Sequence, residues 1–269
     1  MRRACGRCTL AGVAGRSGRQ AWWEQGRAAG SALRHRLGEA TLAWLDALFP
    51  PRCAGCGRLG SHFCPQCMAS LDRLAPPWCD LCGQRLPASG RCAECRAQPL
   101  PLVIRSAAVL QGPLRHAVHG LKYRGHTAAA RDLAALLIEP ARALLLEGLA
   151  EEERPVVVPV PLHPARERER GYNQAALLAR HLAAALDLPY DDRWLRRERA
   201  TASQVGLSRR QRRDNLRGAF AAAPPATATL PVLLVDDVVT TGSTLANAAH
   251  ACLAAGVPRV YGVTLARER

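Results

Sequence analysis

From residue 155 onward, apolar runs and amphipathic stretches alternate along the chain. "PVVVPVPL" at 155–162 reads as a strand, 173–187 as a helix, 231–236 as a strand, 243–255 as a helix, and "RVYGVTL" at 259–265 as a strand. Strands separated by helices of this length predict parallel βαβ units in an α/β sheet. Upstream, "PLPLVIRSAAVL" resumes regular structure as a further strand. Residues 113–121 and 127–147 predict helices, the second interrupted at Pro140. Residues 31–49 set Leu33, Leu37, Leu42, Leu45 and Leu48 near helical spacing, so they predict an amphipathic helix ended by Pro50-Pro51. Residues 1–30 show no periodicity and read, with the ten that follow, as a disordered extension. "AAAPPATATLP" at 221–231 reads as a linker.

Composition changes this picture in three places. Hydrophobic residues make up 48% of the chain but aromatics only 4%, so the core must be aliphatic. No apolar run approaches the roughly 18 residues of a membrane span, and the N-terminal stretch lacks the apolar centre of a signal peptide. A cytoplasmic protein with no membrane span is expected. The formal charge is +15, and Lys122 is the single lysine among 37 basic residues. Two stretches, 1–40 and 163–217, each carry a net charge of +6. Such a balance favours anionic partners, nucleic acid or phosphorylated metabolites. It does not choose between them, because arginine preference also follows codon usage and scattered charge is ordinarily solvated surface.

Between residues 50 and 98 eight cysteines form four C-x-x-C pairs: Cys53/Cys56, Cys64/Cys67, Cys79/Cys82 and Cys92/Cys95. A C-x-x-C turn brings two thiolates to one tetrahedral Zn²⁺, and two such turns close a structural site. Seven residues separate the first two pairs and nine the last two, room for a short ribbon in each case. The sequential reading is two Cys₄ zinc sites; a cross-braced pairing or one occupied site also satisfies the spacing. Four pairs in series do not fit a redox motif, and disulfides do not fit a cytosolic chain. Cys5 and Cys8 form a fifth pair without a partner, and Cys252, on a predicted helix, reads as a small core residue.

The most specific signal is "VLLVDDVVTTGSTL" at 232–245. Its apolar start suits a strand buried on both faces. Ligands of open α/β sheets bind at the carboxyl ends of strands, where Asp236 and Asp237 fall. The loop from Val238 and Val239 through Thr240, Thr241 and Gly242 then feeds a helix starting near Ser243 and Thr244. Backbone N–H groups at that helix start make an anion site, with the hydroxyls as further donors and Gly242 permitting close approach. Two carboxylates beside a phosphate cradle suit a sugar diol, with Mg²⁺ neutralising a neighbouring pyrophosphate. A ribose carrying a 5′-phosphate is the ligand implied. Simple capping by Ser243 is compatible with the same residues.

This motif resembles the phosphoribosyl pyrophosphate (PRPP) loop of type I phosphoribosyltransferases. Together with "VPVPLHPARERERGYNQAALLA" (158–179), "RERATASQVGLSRRQRRDNLRGAF" (197–220) and "LKYRG" (121–125), it resembles the ComF family of competence proteins, across about residues 45–268. The resemblance implies a type I phosphoribosyltransferase-like parallel sheet with helices on both faces, over 99–269. A helix and double zinc ribbon over 41–98 would precede it. It implies a pyrophosphate loop at Pro161 and Leu162, extended by Arg170, Gly171, Asn173 and Gln174. It also implies a closing loop in which Thr201, Gln204 and Arg213 stand out.

Three roles follow from the resemblance. One is PRPP or ribose 5-phosphate binding with Mg²⁺ in DNA uptake and transformation, where single-stranded DNA and competence-machinery proteins would be partners. The second is an active transferase resembling the synthetase half of amidophosphoribosyltransferase, although no base-recognition segment is evident. A PRPP-sensing regulator is the third. Aromatic platforms for DNA are few, with Trp78 and Tyr172 as candidates.

Overall fold

The computed structural model describes residues 50–148, 153–198, 218–224 and 230–268. The expected helix over 31–49, the extension before it, and Thr201, Gln204 and Arg213 lie outside the described residues. Residues 51–269 cluster as one unit, so the cysteine-rich segment and the sheet belong to the same body.

Four parallel strands form the sheet: β1 (Val103–Val109), β2 (Val156–Pro159), β5 (Val232–Val239) and β6 (Val260–Arg267), in the order β1-β6-β5-β2. Alternate residues of β5 serve two cores, as the two-residue period of a strand requires. Leu233 and Val235 enter one, Val232 and Leu234 the other. On the first face lie α3 (Gly112–Tyr123), α4 (Ala130–Ala135), α5 (Ile138–Gly148) and α7 (Gln174–Leu186). On the second lies α8 (Ser243–Ala254), whose Leu245, Ala248, Ala249 and Cys252 are buried. The α/β sheet with helices on both faces is therefore present, and Cys252 is a core residue as expected.

Local sequence accounts for most of these elements. Leu114, Ala117, Val118 and Leu121 fall one face apart on α3 and are all buried. Asn173 caps α7 by accepting the Ala175 N–H at 3.0 Å. The second upstream helix breaks at Leu136–Leu137 rather than at Pro140, which lies in the first turn of α5. A proline is tolerated there because first-turn N–H groups have no helical partner.

Three further elements escaped the sequence pattern. Helix α6 (Pro164–Arg170) reads "PARERER", with no apolar face, and is set by its ends. His163 accepts the Ala165 N–H at 3.2 Å, Pro164 opens the first turn, and Gly171 closes it at φ 82°. Strands β3 (Leu195–Arg197) and β4 (Phe220–Ala222) form a small antiparallel pair over the second core.

The cysteine-rich segment contains two short helices, α1 (Pro65–Ala69) and α2 (Ala93–Ala97), each starting just after the first cysteine of a pair. It covers the open edge of β1. Leu74 N–H donates to Ala107 at 3.1 Å, Val109 N–H to Asp72 at 2.9 Å, and Ile104 N–H to Leu81 at 2.6 Å. A parallel edge strand left bare would present unpaired backbone groups; here the ribbon satisfies them. Cys53, Phe63, Cys64 and Cys67 also join the first core beside Leu114 and Leu133.

Candidate functional site

Strand β5 delivers the site. It runs to Val239, three residues beyond the strand expected from sequence, because β6 stays in register past the acids, pairing Asp236 with Thr264 and Val239 with Arg267. Asp236 and Asp237 thus sit in the carboxyl-terminal half of a paired strand, and the loop proper shortens to Thr240–Gly242. Gly242 adopts φ +78°, which favours glycine, and a Cβ there would lie 3.3 Å from the Ile104 side chain, a tight contact. Thr241 and Ser243 hydroxyls lie 2.6 Å apart, and Ser243 N–H donates to Thr241 Oγ1 at 3.3 Å.

The strand end opens into a cleft of about 980 Å³. Most described residues predicted for ligand binding line it, Asp236 through Thr244 on one side and Pro161, Leu162 and Arg170 on another, while Gly171 and Asn173 do not. Asn173 fixes that second side from behind by donating to the Val160 carbonyl at 3.1 Å. Gln174 lines the cleft and hydrogen-bonds Arg170.

The fold adds groups that the sequence reading did not assign. Lys122, from the end of α3, places Nζ 3.0 Å from Asp237 Oδ2. Arg115, Arg166 and Arg197 arrive from three separate elements. For Lys122 a signal was present: a chain that uses arginine everywhere else keeps one lysine, inside "LKYRG". Tyr123 forms part of the rim, 68% exposed, with His119 at 4.8 Å and the Arg170 guanidinium 5.4 Å from its ring. The two aromatics expected as platforms are otherwise engaged. Tyr172 donates to the Leu121 carbonyl at 2.6 Å, and Trp78 lies under Arg105.

Burial, and then the charge of Asp237, push the Asp236 carboxyl up to about 7 against the pull of Lys122. Burial disfavours charge on Lys122 as well, but the facing Asp237 carboxylate outweighs it and holds the amine above its usual value. The Asp236 shift has a stability consequence of definite sign. Between its ordinary value of 3.8 and about 7, the folded chain holds a proton that the unfolded chain has lost. Stability falls as pH rises through that window. Asp236→Asn is therefore expected to match wild type in chemical denaturation at pH 4 and exceed it at pH 8, by at most about 4 kcal/mol. A variant less stable than wild type at pH 8 would reverse this sign.

The two cysteine sets meet the requirements of zinc. In each, all four sulfurs lie within 4.8 Å of one another, in the sequential pairing Cys53/56/64/67 and Cys79/82/92/95. Tetrahedral Zn–S bonds of about 2.3 Å place sulfurs about 3.8 Å apart. Cys53–Cys67, Cys56–Cys64 and Cys82–Cys92 stand at 3.7, 3.6 and 3.9 Å. These are far longer than a disulfide, and all eight cysteines are free. Backbone N–H groups point at the sulfurs, Cys64 to Cys53 at 3.2 Å and Cys92 to Cys79 at 3.3 Å. Burial opposes ionisation at Cys53 and Cys79, yet such N–H donors bring both thiols down to about 6. Each set offers one Zn²⁺ the four thiolates of a closed structural site.

A double zinc ribbon preceding a parallel α/β sheet with a cleft at its strand ends is the class of protein these features define. The family model for the double zinc ribbon domain matches residues 44–96. The chain is 39% identical over 220 residues to "DNA utilization protein YhgH" of Salmonella typhi, covering 80% of this chain and 88% of that one. It belongs to this family, the ComF family. "Competence protein F" of Haemophilus influenzae is 42% identical over 114 residues, 41% of this chain and 49% of that protein. Among solved structures, the glutamine PRPP amidotransferase from B. subtilis complexed with ADP and GMP matches at 20% identity. That match covers 52% of this chain and 26% of the other, with a TM-score of 0.34. Among the described residues no helix is long and apolar enough to cross a membrane.

Proposed function

We propose that the cleft binds a 5-phosphorylated ribose, PRPP or ribose 5-phosphate, and that the protein uses this site in handling DNA during competence in the cytoplasm. The observation that carries the reading is one cleft holding three kinds of group suited to such a ligand. The hydroxyl-rich turn ahead of α8 suits the 5-phosphate. The half-buried Asp236 and the buried Asp237 suit the ribose hydroxyls, and Arg166, Arg170 and Arg197 suit the pyrophosphate. The hard carboxylate oxygens of Asp236 and Asp237 are also the groups beside which Mg²⁺ would be held. Mg²⁺ would supply charge neutralisation at the pyrophosphate; Lys122 already supplies one cation at Asp237. Calorimetric titration of the zinc-loaded protein with PRPP, with and without Mg²⁺, tests the reading. Absence of binding to either form would remove it.

The family relatives named for DNA utilization and competence support single-stranded DNA as the macromolecular partner. Helix α3 carries Arg115, His116, His119 and Lys122 and no acid, and it ends at the exposed Tyr123. Basic and imidazole side chains along a track with a stackable ring at its end suit a single strand. Oligonucleotide affinity is expected to fall linearly with salt on logarithmic axes, with a slope of about −0.7 per phosphate contact. Tyr123→Ala should weaken binding without changing that slope. A flat salt dependence in fluorescence anisotropy would argue against a DNA track.

A further inference from the structure

The second cysteine set and the hydroxyl-rich turn meet at one buried cation. Arg267 ends β6, opposite Val239 on one side and Val109 on the other, at the carboxyl edge of the sheet. Its side chain is 7% exposed. One guanidinium nitrogen donates to the Cys82 carbonyl and another to the Thr240 carbonyl at 3.5 Å. Cys82 belongs to the second Cys₄ set, and Thr240 opens the turn that precedes α8.

Charge explains why a cation sits there. Four thiolates on one Zn²⁺ leave a net charge of about −2, and a buried net charge needs counter-charge and hydrogen bonds. Two buried arginines are placed to provide them. Arg267 is one. Arg105, 3% exposed, is the other, donating to the Asp80 carbonyl of the same C-x-x-C turn at 3.2 Å. The turn also enters the sheet directly, through the Ile104 N–H to the Leu81 carbonyl. A Cβ at Gly83 would stand 2.6 Å from the Ile104 carbonyl, so the approach is close. The Ile104 side chain presses in turn beneath Gly242. One polar route and one apolar route therefore run from the second cysteine set to the turn. The first set faces elsewhere, with Phe63 N–H donating to Asp132 at 3.0 Å and His116 meeting the Gly55 carbonyl at 3.2 Å.

We propose that the second zinc site holds the Thr240–Gly242 turn in its ligand-binding form, with Arg267 as the positioning residue that joins the two. The effect on ligand affinity rests on the reading of the cleft given above; the mechanical link does not. Linkage makes the coupling reciprocal, so a ligand held by the turn also tightens that zinc site.

The test uses the full chain loaded with zinc. Two readouts are followed: amide hydrogen exchange of residues 238–244, and zinc release to a colorimetric chelator. Arg267→Met is expected to speed exchange of those amides and to release one of the two zinc ions, each by at least about tenfold. The other ion and the amides of α7 should keep wild-type rates. Arg267→Lys keeps the charge but not the two-ended fork, so it should retain zinc and still lose protection in the turn. If Arg267→Met does not fold, the lysine variant carries the same exchange readout. Asp132→Asn, beside the first set, should leave the turn unchanged. The proposal is overturned if the turn exchanges at wild-type rates in the folded Arg267 variants, or if Arg267→Met releases both ions faster together. Ribose 5-phosphate titration separates the two ideas. No binding to wild type would remove the reading of the cleft while the exchange result stands. Equal affinity in wild type and Arg267→Lys would remove the coupling.

Discussion

Replacing Asp236 and Asp237 together by asparagine is expected to cut the affinity for PRPP with Mg²⁺, and for ribose 5-phosphate, by at least about a hundredfold. A hydrogen bond to a charged group contributes about 1.5–3 kcal/mol, and about 1.4 kcal/mol is a factor of ten in affinity. Two lost carboxylates therefore exceed a hundredfold even at the lower figure. The fold should survive. Asparagine matches the volume of aspartate, and Asp236 is held in the folded state at a cost. Lys122 would lose its anionic partner at 3.0 Å, which is a reason to record circular dichroism beside the calorimetry. Wild-type affinity in a folded double variant would show that the ligand does not lie against these carboxylates.

Loss of the first zinc site should be felt through the whole unit rather than locally. Cys67 is 5% exposed and shares its core with Leu114, Leu121 and Leu133. Structural zinc binding contributes about 10–16 kcal/mol to such sites, against about 5–15 kcal/mol of net stability for an ordinary domain. Cys67→Ser is therefore expected to lose one zinc per chain and to unfold α3 and α4 together with the ribbon. The measurements are metal content by atomic absorption and the thermal transition by calorimetry. A variant one zinc short with an unchanged transition would show that this ribbon is thermally independent of the sheet.

What could be read from the chain followed how local each feature is. The eight cysteines and the run from Asp236 to Thr244 are contiguous signals, and the structure gathers each set where the spacing placed it. The ends of β5 were misjudged because they are fixed by β6, whose register continues past two acids that look like a loop. Helix α6 has no apolar period, so only its caps at His163 and Gly171 could have revealed it. Arg115, Arg166 and Arg197 stand in separate segments, and only the fold brings them to the cleft. Nothing nearby in the sequence distinguishes them from the other arginines. Arg267 is hidden for the same reason, since its partners lie at Cys82 and Thr240.

Lys122 has a chemical consequence of its own. With 37 basic residues and one lysine, the chain offers a single side-chain amine. Among side chains, amine-directed reagents and enzymatic lysine marks have this one target, and it stands within the cleft beside Asp237. The remaining basic surface is guanidinium, inert to that chemistry. A covalent reporter attached through lysine would thus sit at the site itself and nowhere else on the side chains of this protein.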